Sequence, residues 1–171
     1  IWDDTKEDKL PTRYGIVYEQ VSEHEYVEPN RHHRSSLFQW IFRLWERHEW
    51  DFMLDLHQTE FERSDRNCMV ILPTLYDEQP EALKQTEMAW AQRVVDAWRE
   101  LGDDARPIAD IKPLNYTGEQ RQYFIDRWGQ FYSKAPIITT EIQNNSPRTS
   151  PFIQMRLNEL AIWATVDYAL R

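Results

Sequence analysis

At 171 residues and 20.8 kDa the chain is long enough for one domain with a real core and short for two, so a single domain over residues 1–171 is expected. It carries 20 Lys plus Arg against 29 Asp plus Glu, a formal charge of −9, which offers no basic footprint for a phosphate backbone or an anionic membrane surface. Apolar residues at 41% and aromatics at 13% exclude a disordered chain, and no apolar run approaches the roughly 20 residues of a membrane span. The lone Cys68 can make no internal disulfide and no cysteine metal cluster, which suits a reducing, cytoplasmic setting.

Residues 1–34 are rich in charge, and only Tyr14, Ile16 and Tyr18 alternate in the manner of a strand. From Ser35 the period changes to three and four. Leu37, Trp40, Ile41, Leu44, Trp45 and His48 form an apolar stripe, and Ser35 or Ser36 can cap the helix that carries it. Phe52–Leu56 reads as a short buried strand that delivers His57, Thr59 and Glu60 at its carboxyl end. Cys68–Leu72 is a second strand closed by Pro73.

A long helix follows Pro80, with Leu83, Trp90, Val94, Trp98 and Leu101 facing inward and Gly102 as its stop. Residues 103–118 read as a loop broken by Pro107 and Pro113. Glu119–Tyr132 reads as a helix with Tyr123, Phe124, Ile125, Trp128 and Phe131 inward. Pro136–Ile142 is a third strand, carrying Glu141. After the turn at Asn144, Asn145, Ser146 and Pro147, a last helix starts with Ser150 as cap and Pro151 in its first turn. Its apolar positions are Ile153, Leu157, Leu160, Ala161 and Ala164.

Helices alternating with short apolar strands predict a layered α/β/α domain with a mostly parallel or mixed sheet. In such sheets ligands collect beyond the carboxyl ends of strands, where His57 and Glu141 both emerge. At that position His57 reads equally as a metal ligand, with a neighbouring carboxylate fixing its tautomer, or as a hydrogen-bonded structural histidine. Glu141 reads equally as a general base or as a strand-end carboxylate facing water. Asn30, Arg31, His32, His33 and Arg34 are a donor-rich cluster suited to a substrate carboxylate or to a solvated loop. His57 and Glu60 have the offset of a metal pair only if the backbone turns helical there. Trp40, Trp45, Trp90 and Trp98 fall on helix stripes and are expected in the core.

The order Asn30-Arg31, helix, strand ending Asp55-Leu56-His57, long intervening segment, strand ending in Glu141 and terminal helix resembles the C-terminal half of the zinc carboxypeptidase superfamily. That superfamily includes aspartoacylase and succinylglutamate desuccinylase relatives. The resemblance spans roughly residues 27–170 and implies a zinc hydrolase that cleaves an amide or peptide bond beside a carboxylate. It implies His57 as the last of three zinc ligands, Glu141 as the catalytic base, and Asn30 and Arg31 as the grip on the substrate carboxylate. Tyr123 or Tyr132 would cover the substrate, which would be a small acidic or C-terminal peptide or an acyl amino acid. The family's first two ligands, a histidine and a glutamate three residues apart, have no counterpart before Asn30, where His24 meets Glu28 at an offset of four. The expectation is therefore an N-terminally incomplete metallohydrolase whose missing segment supplies two ligands; the competing class is an inactive protein-interaction module. A metal-free glycoside hydrolase with paired carboxylates stands third.

Overall fold

The structure, a computed structural model, describes residues 2, 3, 5, 18–59 and 64–171, and of Trp2, Arg31 and Glu119 it describes the backbone alone. The strand expected at Tyr14 and Ile16 lies outside the described residues, as does Glu60. The chain divides into two compact units, Ile1–Trp50 and Asp51–Arg171.

In the first unit β1 (Trp2–Asp3), β2 (Glu19–Gln20) and β3 (Glu25–Val27) form an antiparallel sheet in the order β1-β3-β2. A 3-10 turn at Pro29–Arg31 leads to α1 (Ser36–Arg47). Ser35 starts this helix as the sequence predicts: its hydroxyl accepts from the Phe38 amide at 3.2 Å and donates to the Pro29 carbonyl. The stripe is not buried as expected. Phe38 is fully buried, whereas Leu37, Trp40 and Leu44 are exposed, Trp40 by 59%. Periodicity locates an apolar face without supplying anything to cover it.

The second unit is an α/β layer built on a mixed four-stranded sheet in the order β4-β7-β5-β6. β4 (Met53–Thr59) runs parallel to β7 (Ile137–Gln143), β7 is antiparallel to β5 (Cys68–Leu72), and β5 is parallel to the short edge strand β6 (Lys112–Pro113). Strand β6 lies inside the expected loop; two residues with a proline at a sheet edge give no periodic signal. Helices α2 (Glu81–Arg99) and α3 (Gly118–Tyr132) run between strands, and α4 (Pro151–Ala169) follows β7. Gly102 ends the α2 segment at φ 60°, the left-handed conformation that favours glycine.

One face of the sheet makes the main core. Val70 and Leu72 from β5 and Ile138 and Ile142 from β7 pack with Trp90, Val94 and Trp98 of α2 and Leu157, Ala161 and Ala164 of α4. The small residues of α4 let it lie close to α2. Both buried indoles keep a partner: Trp98 donates to the Leu157 carbonyl at 2.7 Å and Trp90 to the Thr165 hydroxyl at 2.9 Å. The outward side of α4 is also apolar, with Phe152, Met155, Trp163 and Leu170 exposed. Among the described residues no helix is long and apolar enough to cross a membrane.

Candidate functional site

Side chains alternate across a strand, so β4 and β7 each divide their residues between two faces. Leu54 of β4 and Ile138 and Ile142 of β7 go to the α2–α4 core. Asp55 and His57 on β4, and Thr139 and Glu141 on β7, take the opposite parity. The parallel register sets His57 against Glu141 and Asp55 against Thr139. Two strands thus bring four polar residues together, at a spacing between strands of about 4.8 Å.

Within this group the Nε2 of His57 lies 3.1 Å from the Oδ2 of Asp55, and the Thr139 hydroxyl reaches the same oxygen at 3.5 Å. Asp55 thus helps hold the imidazole in one orientation. His57 and Asp55 are 30% and 28% exposed, which leaves this part of the sheet open to solvent. Glu141 is half-buried, with its Oε2 shut off from solvent. The expected strand end is corrected here. β4 runs on through Thr59 and β7 through Gln143, so His57 and Glu141 sit within paired strands instead of beyond them. Full seven-residue pairing keeps the backbone extended, which the short apolar runs could not reveal.

The other expected residues fall elsewhere. Asn30 and Arg31 lie in the 3-10 turn of the first unit. His32 and His33 stack with ring centroids 4.5 Å apart, and His32 Nδ1 accepts from the Arg34 amide at 3.2 Å. Tyr132 is buried, and burial pushes its phenol well above the usual range despite a hydrogen bond with Thr74. Tyr123 is half-buried on α3, with the Arg127 guanidinium 5.0 Å from its ring centroid. Trp90 and Trp98 are in the core as predicted, whereas Trp40 is not.

One buried acid escaped the sequence reading. Glu87 of α2 is fully buried, accepts from the Ile137 amide at 3.0 Å and from the Gln79 side chain at 3.2 Å, and keeps an Oε2 with no hydrogen-bond partner among the described residues. Burial pushes its carboxyl up to about 7. The signal was a charged residue one turn after Leu83 on the apolar stripe of α2. Cys68 is buried and its thiol is pushed up to about 12, chiefly by desolvation, which makes it inert as a nucleophile.

The imidazole of His57, oriented by a carboxylate, has the chemistry of a zinc ligand. Among the described residues, however, no group of three or more His, Cys, Asp or Glu is placed to hold a metal ion. The described donors fit one corner of a zinc site and do not complete it.

No protein-family model matches the chain, and no curated protein matches it. Among the solved structures that match is the N-acetylmuramoyl-L-alanine amidase AmiC2 of Nostoc punctiforme, 12% identical with a TM-score of 0.48. The match covers 78% of this chain and 66% of the amidase chain, slightly under two thirds of its length. A likeness of that size carries no argument about activity. Membership of the zinc carboxypeptidase superfamily is not established by these comparisons.

Proposed function

We propose that this chain carries part of the active site of a zinc-dependent hydrolase that cleaves an amide bond beside a carboxylate, of carboxypeptidase or deacylase type. The observation that supports this most is the pairing of His57, oriented by Asp55, with Glu141 across two parallel strands on a solvent-open face. His57 would be one zinc ligand, and the remaining ligands are not among the described residues. When bound, zinc would polarise the carbonyl and acidify water.

This chain's own residues do the rest. Glu141, half-buried beside the imidazole, takes a proton from the attacking water and returns it to the leaving amine. Asp55, 3.1 Å from the imidazole, orients His57. Tyr123, half-buried on α3, would cover the substrate.

The test is zinc stoichiometry of the intact polypeptide by elemental analysis, paired with turnover of N-acyl amino acids. Glu141→Gln should keep the metal and abolish turnover, and His57→Ala should lower occupancy. Unchanged turnover in the first, or unchanged occupancy in the second, removes the assigned role. A second reading, a non-catalytic interaction module, draws on the exposed apolar residues Phe152, Met155, Trp163 and Leu170 of α4. Zinc near zero in chelator-free material, together with no turnover, would favour it.

A further inference from the structure

Helix α4 is apolar on both of its sides. Leu157, Ala161 and Ala164 complete the core with α2. Away from that core, every exposed residue between Pro151 and Ala169 is apolar too, including Phe152, Met155, Ile162, Trp163 and Val166, with exposed Leu170 just beyond. Helix α2 shows the contrast: Glu81, Gln85, Gln92, Arg93, Asp96 and Arg99 lie on its exposed side. A helix apolar all round is a buried helix, and among the described residues nothing covers the second side of this one.

The spacing and the area fit another helix. Positions 152, 155, 159, 162 and 166 alternate by three and four, the period of a helix-packing seam. With Phe152, Trp163 and Leu170 exposed by 65%, 63% and 83%, the stripe presents about 650 Å² of apolar surface. Two such stripes facing each other bury about 1,300 Å² before any polar rim is added, within the roughly 1,200–2,000 Å² of a stable specific interface.

Charge and symmetry select a second copy as the occupant. Arg156, Glu159, Asp167 and Arg171 are the charged residues from position 151 onward, and each is paired within the chain: Arg156 with Glu159, and Asp167 with both Arg93 and Arg171. The face thus offers no uncompensated charge to steer a charged partner, and a net charge of −9 opposes an anionic membrane. Phe152 and Leu170 stand equally far from Ala161 along the helix, and Met155 and Val166 nearly so. An antiparallel copy therefore sets Phe152 against Leu170 and Met155 against Val166, larger side chains against smaller ones.

We propose that the outward face of α4 is a homodimer interface, in which two copies of this helix pack antiparallel about a two-fold axis level with Ala161. None of Asp55, His57, Thr139 and Glu141 takes part, so the dimer stands whichever reading of the function holds.

The test is sedimentation velocity of the intact polypeptide across a wide range of concentration, which should show a reversible dimer of the 20.8 kDa chain. Trp163→Glu should weaken it by about thirtyfold or more, whereas Gln92→Glu on the exposed side of α2 leaves it unchanged. Near-UV circular dichroism checks the fold of each variant, and Phe152→Gln replaces Trp163→Glu if that chain misfolds. Added salt should leave the dimer as tight or tighter, because two acidic copies repel and the contact is apolar. A mixture of Phe152→Cys and Leu170→Cys chains should cross-link on oxidation far more than either alone, with the buried Cys68 taking no part. A parent that is monomeric at every concentration overturns the proposal, including one that phosphatidylcholine vesicles capture through Trp163. A dimer that ignores Trp163→Glu, or that loosens as salt rises, has its contact elsewhere and overturns it as well. Cross-linking of either cysteine variant alone, as readily as of the mixture, overturns the antiparallel arrangement.

Discussion

Replacing Glu87 with glutamine tests the core of the second unit through pH alone. The carboxyl is fully buried and its folded value stands at about 7 against an ordinary 4.5, a gap of about 2.5 caused first by desolvation. Below pH 4.5 the group is protonated in both folded and unfolded chains and imposes no penalty. As pH rises from 4.5 towards 7 the unfolded chain releases its proton and the folded chain keeps it, so stability falls across that window and levels off above it. The whole gap corresponds to about 3 kcal/mol, most of it between pH 5 and pH 8. The phenols of Tyr76 and Tyr132, the titratable groups on which Glu87 acts, are both raised above their ordinary range and do not titrate there. Glutamine keeps an acceptor for the Ile137 amide and has no proton to lose. Urea unfolding of parent and Glu87→Gln at pH 5 and pH 8 should show the parent losing about 2 kcal/mol or more relative to the variant. A difference that stays flat between the two pH values would mean that the carboxyl is solvated or that a charge pairs with it, and the reasoning would fail.

Three further outcomes follow from single contacts. Thr140 is fully buried and its hydroxyl has no partner among the described residues, so Thr140→Val, nearly the same shape, should raise stability by about 1 kcal/mol in a thermal melt. Leu157→Ala opens a cavity where α4 meets α2 and should lower stability by about 3 kcal/mol in urea; a loss under about 1 kcal/mol would mean the site collapses freely. Asp55→Asn keeps the shape beside His57 but removes the charge that fixes the imidazole, so it should reduce turnover by at least about tenfold while leaving the melting temperature within a few degrees.

Much of the second unit was legible in the sequence because its signals are local. Ser150 with Pro151 marks the start of α4, Gly102 ends the α2 segment, and Cys68–Leu72 with Pro73 is a strand closed by its own breaker. What was not legible depends on partners distant in sequence. The face of α1 that reads as inward, Leu37, Trp40 and Leu44, is open, because a stripe only proposes a surface and a neighbouring element must cover it. His57 was placed beyond its strand because polar residues end an apolar run, yet seven residues of pairing with β7 hold it inside. Strand β6 and the buried Glu87 were missed for the same reason: one exists only by pairing with β5, the other only by the amides of Ile137 and Gln79.

The register also explains why a polar group can occupy the middle of a sheet. In β7, Ile138, Thr140 and Ile142 are fully buried, and Ile138 and Ile142 belong to the α2–α4 core, whereas Thr139 and Glu141 fall on the other parity. Sliding β7 by one residue would carry Glu141 into the apolar layer and turn Ile138 and Ile142 away from it. Burying an unpaired carboxylate in this way, while exposing two isoleucines, is opposed by several kcal/mol. The α2–α4 core therefore enforces the pairing of His57 with Glu141 from the opposite side of the sheet. A substitution in that core that loosens the register should weaken the site before it unfolds the domain. Leu157→Ala provides the check, since turnover should fall in the variant even at urea concentrations where it remains folded.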